Sequence, residues 1–395
     1  MNIDEPLALL GGLTPKAFMA RYWQREPLLI RQAIPGFLPS LSISDIKQLV
    51  KREEVESRLI WQDDNGWNMK TGPFSRLPAA RKPNWSILAQ SVDLHDDATA
   101  ALMRQFRFIS DARLDDAMIS IATDGGGVGP HVNSYDVFLL QGHGRRRWRI
   151  SRQTDLSLQP GIPVTVLQNF EAEEEYILEP GDMLYLPPHV AHDGVALGDC
   201  MTISIGFRAP TMATLACGML ECANDQIMAN LGDMGGMYAY PPISGARLSA
   251  TFQDPGAPAT VHPAALPDSL IKATRKAIEK VDFNDALATR FLGQWLTDLS
   301  PNALFEPSGD HLDLRMEMPV DGKLELDRCT RLMYRDKSLF INGEVAAVPA
   351  SSRLRRLADS RELACSGPEV GQLKKKERRV LNEWLQDGWI HHVPA

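Results

Sequence analysis

Thiols are scarce in this 395-residue chain, and neither sign of charge dominates it. The five cysteines (Cys200, Cys217, Cys222, Cys329, Cys365) are scattered and show no Cys-x-x-Cys spacing. That excludes a disulfide framework and a thiolate zinc site, and predicts reduced thiols in a cytoplasm. No apolar run approaches the roughly 20 residues that span a bilayer, so no membrane partner is expected. The opening Met-Asn-Ile-Asp-Glu-Pro is acidic and lacks an apolar core, which predicts no secretory signal. A formal net charge of −8 argues against whole-surface binding of nucleic acid, and direct nucleic-acid binding is not expected. Repeats and low-complexity tracts are absent as well. With 44% hydrophobic and 23% charged residues, what remains is a globular protein of two or three domains.

The periodicity changes along the chain. The first ~110 residues mix signals, with a helix start at Thr14-Pro15 and a short buried strand at Leu28-Leu-Ile30. From Asp115 the period is two, with Asp116, Met118, Ser120 and Ala122 on one face. Asp136–Gln141 and Arg145–Ile150 flank Gly142-His-Gly144, which predicts a hairpin with His143 at its turn. Strands at Glu175–Leu178, Met183–Leu186 and Met201–Phe207 complete an antiparallel barrel or sandwich. Helical spacing follows over 211–231, 268–280 and 285–299, as a bundle, a dimerisation module or helices packed on the barrel. The tail predicts a hairpin over 331–343, helices at Ser351–Ala364 and Lys374–Asp387, and a last strand from Trp389, the pattern of a winged helix. Residues 331–395 hold 12 Lys+Arg against 8 Asp+Glu, a solvated basic face rather than a nucleic-acid code.

The chemistry concentrates in two stretches. Gly125-Gly-Gly-Val-Gly-Pro-His131-Val-Asn133 places residues 131 and 133 on one strand face. Pro180-Gly-Asp182, with Pro187 ahead of His192, has the form of the second motif of a cupin barrel. Two imidazoles and a carboxylate on one face of an octahedron would leave three positions open, as Fe(II) oxygen chemistry requires. The glycine run reads either as a turn or as a gap through which a peptide approaches the metal.

These stretches, with Asp116-Ala-Met118-Ile-Ser, Tyr135-Asp-Val-Phe and Gln141-Gly-His-Gly-Arg-Arg-Arg-Trp-Arg149, resemble the JmjC-type, 2-oxoglutarate-dependent ribosomal oxygenases. That bacterial family hydroxylates an arginine of large-subunit ribosomal protein L-sixteen, and the resemblance covers most of the chain. It implies an α+β protein with a double-stranded β-helix (JmjC/cupin) barrel over 1–210, a helical dimerisation region over 211–300 and a winged helix over 301–395. It also implies a cytoplasmic homodimer that uses Fe(II) and 2-oxoglutarate. Carried over by position, His131, residue 133 and His192 hold the metal, and Arg146 takes the distal carboxylate of 2-oxoglutarate. Asp116 and Tyr135 hold the substrate guanidinium, with Met118 beside its stem and Ser204 in the same pocket. Plain alternatives stay open: Asp116 as a strand-end charge and Tyr135 as core.

Asn133 departs from the pattern, because the family has a carboxylate there. Asp136 falls on the opposite strand face, and Asp193 could replace it only with local rearrangement. Three readings stay open: a weakened oxygenase, an inactive ribosome-associated barrel that still binds peptide, or an engineered ligand variant. A sugar-binding or isomerase cupin fits worse, since it leaves Arg146 without a purpose.

Overall fold

The computed structural model describes residues 2–79, 81–245, 247–307, 312–316, 319, 321–365 and 373–395. The chain divides into two compact units, Met1–Ala209 and Pro210–Ala395.

The first unit begins with α1 (Pro15–Arg21), β1 (Leu28–Ile30), α2 (Ile43–Leu49), β2 (Ser57–Asp63), β3 (Gly66–Thr71), β4 (Trp85–Ala89) and α3 (Asp97–Arg104). Thr14 caps α1, accepting the Ala17 N–H at 3.1 Å with Pro15 at the first helical position. Strands β2 to β4 were not legible in the sequence, because β2 mixes exposed charge with short apolar runs rather than alternating cleanly. The barrel strands follow as β5 (Leu114–Ala122), β6 (Val137–Ser151), β7 (Glu174–Leu178), β8 (Met183–Leu186) and β9 (Ala191–Phe207). Their order is β1-β8-β6-β9-β5-β4-β2-β3, with β7 also paired to β6.

The hairpin expected at Gly142-His-Gly144 is not formed. Strand β6 runs unbroken through it for 15 residues, and β9 pairs with β6 along both halves. The glycines instead make bulges, where the β6–β9 register shifts on either side of His143. Gly144 has φ +61°, and a Cβ there would collide with the Asp199 carbonyl. A turn signal and a bulge signal use the same residues, and only long-range pairing separates them.

The central strands β5, β6 and β9 have two unlike faces. Ile119, Ile121, Phe138, Leu140, Ile203 and Ile205 join the main core with Phe18, Ile46 and Phe106 from the N-terminal segment. The opposite face carries Ser120, Gln141, Thr202 and Ser204, all buried, in register across the strands. A polar interior row is costly unless ligands or hydrogen bonds satisfy it; Thr202 Oγ1 donates to Gln141 Oε1 at 3.0 Å.

The second unit contains α4 (Met212–Leu231), α5 (Asp268–Ile278) and α6 (Asp285–Thr297), then β10 (Lys323–Leu326), β11 (Leu332–Arg335), β12 (Ser338–Ile341), β13 (Glu344–Val345), α7 (Ser352–Ser360), β14 (Glu362–Ala364), α8 (Lys375–Gln386) and β15 (Ile390–Val393). Helices α4 and α6 pack through Cys222, Leu287 and Phe291. The expected hairpin over 331–343 forms as β11 and β12. The helix expected to reach Ala364 stops at Ser360, where Arg361 turns left-handed at φ 63°, and the freed residues pair with β10. Among the described residues no helix is long and apolar enough to cross a membrane.

Asp136 lies at the hinge between site and core. It is fully buried, and accepts from Tyr185 OH (2.6 Å), Gln24 Nε2 (3.0 Å) and Arg113 Nη2 (3.5 Å). Asp136→Ala leaves the buried hydroxyl and the guanidinium without their acceptor. It should cost about 3 kcal/mol of unfolding free energy, read as a lower urea midpoint with an unchanged slope.

Candidate active site

The chain between β5 and β6 continues along the edge of β9 that β5 occupies: Gly125 and Gly126 bond to Ala196, and His131 then pairs with His192. His131 N donates to His192 O, and His192 N donates to His131 O, each at 2.9 Å. His192 is already the register partner of Ile150 on β6, so the chain from 131 to 150 lies on both sides of it. The bridge puts the two imidazoles 4.2 Å apart, centroid to centroid, inclined at 58°. Each Nδ1 faces a backbone carbonyl, His131 that of Gly129 and His192 that of Val190, both at 2.9 Å. A carbonyl can only accept, so both rings carry their proton on Nδ1 and keep the Nε2 lone pair. Carbonyl anchors of this kind fix the ring orientation of metal-binding histidines. Burial holds both rings in the neutral form: it lowers His131, and pushes His192 down to about 3 with the help of His131 beside it.

The glycine run serves this pairing. A Cβ on Gly126 would strike the Trp85 carbonyl, and one on Gly127 would lie 2.7 Å from the Gly194 carbonyl. The close approach that these glycines permit is therefore to the protein's own backbone.

Asn133 follows His131 on the bridging segment, and its carbonyl accepts the His189 N–H at 2.8 Å. Among the described residues its side-chain amide makes no hydrogen bond, so its oxygen is free to act as a third donor. Among the described residues no carboxylate stands in for it. Asp193 is bound to Arg149 at 2.5 Å, and Asp136 is committed to Tyr185. Among the described residues no three His, Cys, Asp or Glu side chains converge as a metal site. Two neutral nitrogens and an amide oxygen suit a divalent ion in donor type, with one negative charge fewer than two histidines and an aspartate.

Arg146 projects from β6 onto the same interior face. It is 5% exposed, and its Nε and Nη2 both donate to Cys200 Sγ at 3.4 Å. Its cation lies 5.7 Å from the Trp148 ring. Among the described residues no carboxylate pairs with it. A buried guanidinium without a counter-ion is expensive, and a dicarboxylate ligand would supply what it lacks. Arg145 is exposed and Arg147 and Arg149 half-buried on the other face of the strand.

A second cluster gathers around Gly206 of β9. A Cβ placed there would lie 3.2 Å from Asp116 Oδ1 and 4.0 Å from Tyr135 Cε2, so the two side chains flank one spot. In the next row Ser204, 6% exposed, pairs with Met118 on β5 and Leu139 on β6. Asp116 sits where the β5–β9 register shifts between Leu114 and Ala117, and accepts from Ser91 N at 3.0 Å. Burial lifts its carboxyl to about 6, against the Ser91 hydrogen bond and with help from Asp115. Tyr135 is 40% exposed and is a rim residue, not core. His189 is exposed at a turn with φ 65°, and His143 is exposed on its bulge. Trp148 and Cys200 received no role from the sequence, although strand alternation from Arg146 already placed Trp148 on the interior face.

Comparison with known proteins agrees with this architecture. A JmjC domain matches residues 101–215, and a ROXA-like winged helix matches residues 278–391. The chain is 37% identical over 267 residues to the ribosomal protein uL16 3-hydroxylase of Escherichia coli K12, an alignment covering 67% of this chain and 66% of that protein. It is 30% identical to a probable ribosomal oxygenase of Haemophilus influenzae, over 95% of this chain and 96% of the relative. The crystal structure of the E. coli ribosomal oxygenase YcfD superposes with a TM-score of 0.77 at 28% identity, covering 96% and 98% of the two chains. The same protein in complex with cobalt and 2-oxoglutarate also gives 0.77 at 28% identity, with the same coverage.

Restoring the missing charge tests the third donor. Asn133→Asp should tighten Co(II) at least tenfold, about 1.4 kcal/mol or more, in competition with a chromophoric chelator. An unchanged affinity would place residue 133 off the metal.

Proposed function

The chain belongs to the JmjC-domain ribosomal oxygenases, and we propose that it is an Fe(II)- and 2-oxoglutarate-dependent hydroxylase of an arginine side chain in the large-subunit ribosomal protein uL16 (L-sixteen). The observation that carries this reading is the pairing, on one buried face, of two Nε2-free imidazoles with an uncompensated arginine. In this assignment His131, His192 and the Asn133 amide oxygen hold the metal, and Arg146 binds the far carboxylate of the co-substrate. Bound Fe(II) with 2-oxoglutarate and O₂ would supply oxidative decarboxylation to succinate and CO₂, one oxygen atom of O₂ entering succinate and the other a substrate C–H bond.

The protein's share is positioning. Asp116 and Tyr135 hold the substrate guanidinium between a carboxylate and a ring, Met118 lies along its aliphatic stem, and Ser204 closes the pocket floor. Fixing both ends of the side chain presents one C–H toward the imidazole pair. Cys200 keeps the Arg146 fork in place without neutralising it, since a thiol acceptor leaves the positive charge for the ligand. Peptide-dependent succinate formation in an iron-replete sample tests the assignment, and its absence would contradict it.

We assign the protein to the cytoplasm, with its ribosomal substrate, and residues 211–300 to a homodimer contact. Helix α5 supports the latter, because it buries no residue and leaves Leu270, Ile271 and Ile278 exposed on an amphipathic surface. Leu270→Glu with Ile271→Glu should halve the mass seen by sedimentation equilibrium; an unchanged mass would remove α5 from the contact.

The raised Asp116 carboxyl gives a pH test. Binding an arginine requires the ionised form, so peptide affinity should be full above pH 7 and fall as pH drops through about 6. Below that point the loss should approach about tenfold per pH unit. Asp116→Asn should weaken the peptide at least tenfold at pH 7.5 and flatten the profile. Fluorescence anisotropy of a labelled uL16 peptide reads both, and a profile as steep in the variant as in wild type would exclude Asp116 from the contact.

A further inference from the structure

Trp148 stands between the two ends of the co-substrate pocket. It follows Arg146 on β6 at the two-residue period and so shares its face. Its register partner on β9 is Gly194, midway between Ala196, opposite Arg146, and His192, opposite Ile150. The Arg146 guanidinium carbon is 5.7 Å from the indole centre, and the His192 ring is 5.9 Å from it at an angle of 48°. Guanidinium and imidazole are therefore within about 12 Å of each other across this one ring.

The indole is fixed from behind. It is 5% exposed and belongs to the small interior cluster with Leu139, Ile150, Leu178 and Leu186. A Cβ on Gly194 would lie 2.6 Å from both Cζ3 and Cη2, so the ring occupies space that only a glycine leaves open. Its Nε1–H is buried with no acceptor among the described residues. An unpaired buried donor costs about 1–3 kcal/mol, and such a group in a native interior calls for an explanation.

We infer that Trp148 is a specificity-determining residue of the co-substrate pocket, whose ring is the spacer that fixes the length of dicarboxylate able to join Arg146 to the imidazole pair. The inference rests on the co-substrate role of Arg146. Charge-assisted hydrogen bonds of about 2.8 Å at the guanidinium and metal–nitrogen bonds of about 2.1 Å at the imidazoles take up much of the span. In this inference a five-carbon diacid occupies the remainder over the ring, and a six-carbon diacid would have to buckle against it. Replacing the indole by a smaller ring removes the spacer, and pushing it forward shortens the span.

Calorimetric titration of the Co(II)-loaded protein with 2-oxoglutarate and with 2-oxoadipate, without peptide, tests this by binding alone. Wild type should favour the five-carbon acid. Trp148→Phe should weaken 2-oxoglutarate about tenfold, leave 2-oxoadipate unchanged or tighter, and keep the Co(II) affinity. Gly194→Ala, acting on the ring from the opposite side, should alter the same ratio, and Trp148→Tyr serves if the Phe variant does not fold. The 2-oxoglutarate-induced change in tryptophan emission should vanish in Trp148→Phe. Wild-type ratios in both the Trp148 and Gly194 variants would overturn the inference. Arg146→Ala should lose both acids; retention of both, or no binding by wild type, would overturn the co-substrate reading and this inference with it.

Discussion

The two reciprocal hydrogen bonds between His131 and His192 are the constraint on which the rest of the first unit's chemistry depends. Neither bond is strong by itself, about 1 kcal/mol net. Their effect is geometric: they join residues 61 positions apart in sequence and hold the segment ahead of β6 against β9. The imidazoles then have no freedom in separation, and the carbonyls of Gly129 and Val190 remove their freedom in tautomer. The glycines before His131 are part of the same constraint, since a side chain at Gly126 or Gly127 would push the segment off the neighbouring backbone. The geometry of the imidazole pair is thus a property of this backbone pairing rather than of the two rings.

Electrostatics divides the interior differently. The pocket contains one buried cation, Arg146, without a counter-ion among the described residues, and at Asn133 a neutral group where an anion would complete the ligand set. With a divalent metal and a dicarboxylate co-substrate, an aspartate at 133 would make the assembly neutral, whereas Asn133 leaves it one charge positive. The dicarboxylate then carries more of the compensation, so metal and co-substrate become more dependent on each other for binding. Asp116 is set apart from this balance, held near Gly206 by the Ser91 backbone.

Much of this site was legible in the sequence because strand alternation is a local rule. It placed Arg146 apart from Arg145 and Arg147, which the structure keeps; it also placed His131 with residue 133 on one strand, where only His131 forms a bridge. The motif pair around His131 and His192 carried the family and the barrel for the same reason. What was not legible depends on pairing at long range. Gly142-His-Gly144 reads equally well as a turn or a bulge, and only β9 alongside decides for the bulge. Strands β2 to β4 lack a clean period because they extend an existing sheet. The commitments of Asp136 to Tyr185 and of Asp193 to Arg149 follow from neighbours more than 40 residues away. Those commitments leave Asn133 without a substitute carboxylate among the described residues.

Whether a site with Asn133 in place of an acid still oxidises its substrate is decided most directly by mass spectrometry of a uL16 arginine peptide. The peptide is incubated with the unaltered, iron-replete protein, 2-oxoglutarate and ¹⁸O-labelled dioxygen. A slow gain of one labelled oxygen atom on the arginine, matched by succinate, is the predicted result. An unmodified peptide from protein shown to hold both iron and 2-oxoglutarate would contradict it, and would leave the barrel as a peptide-binding shell.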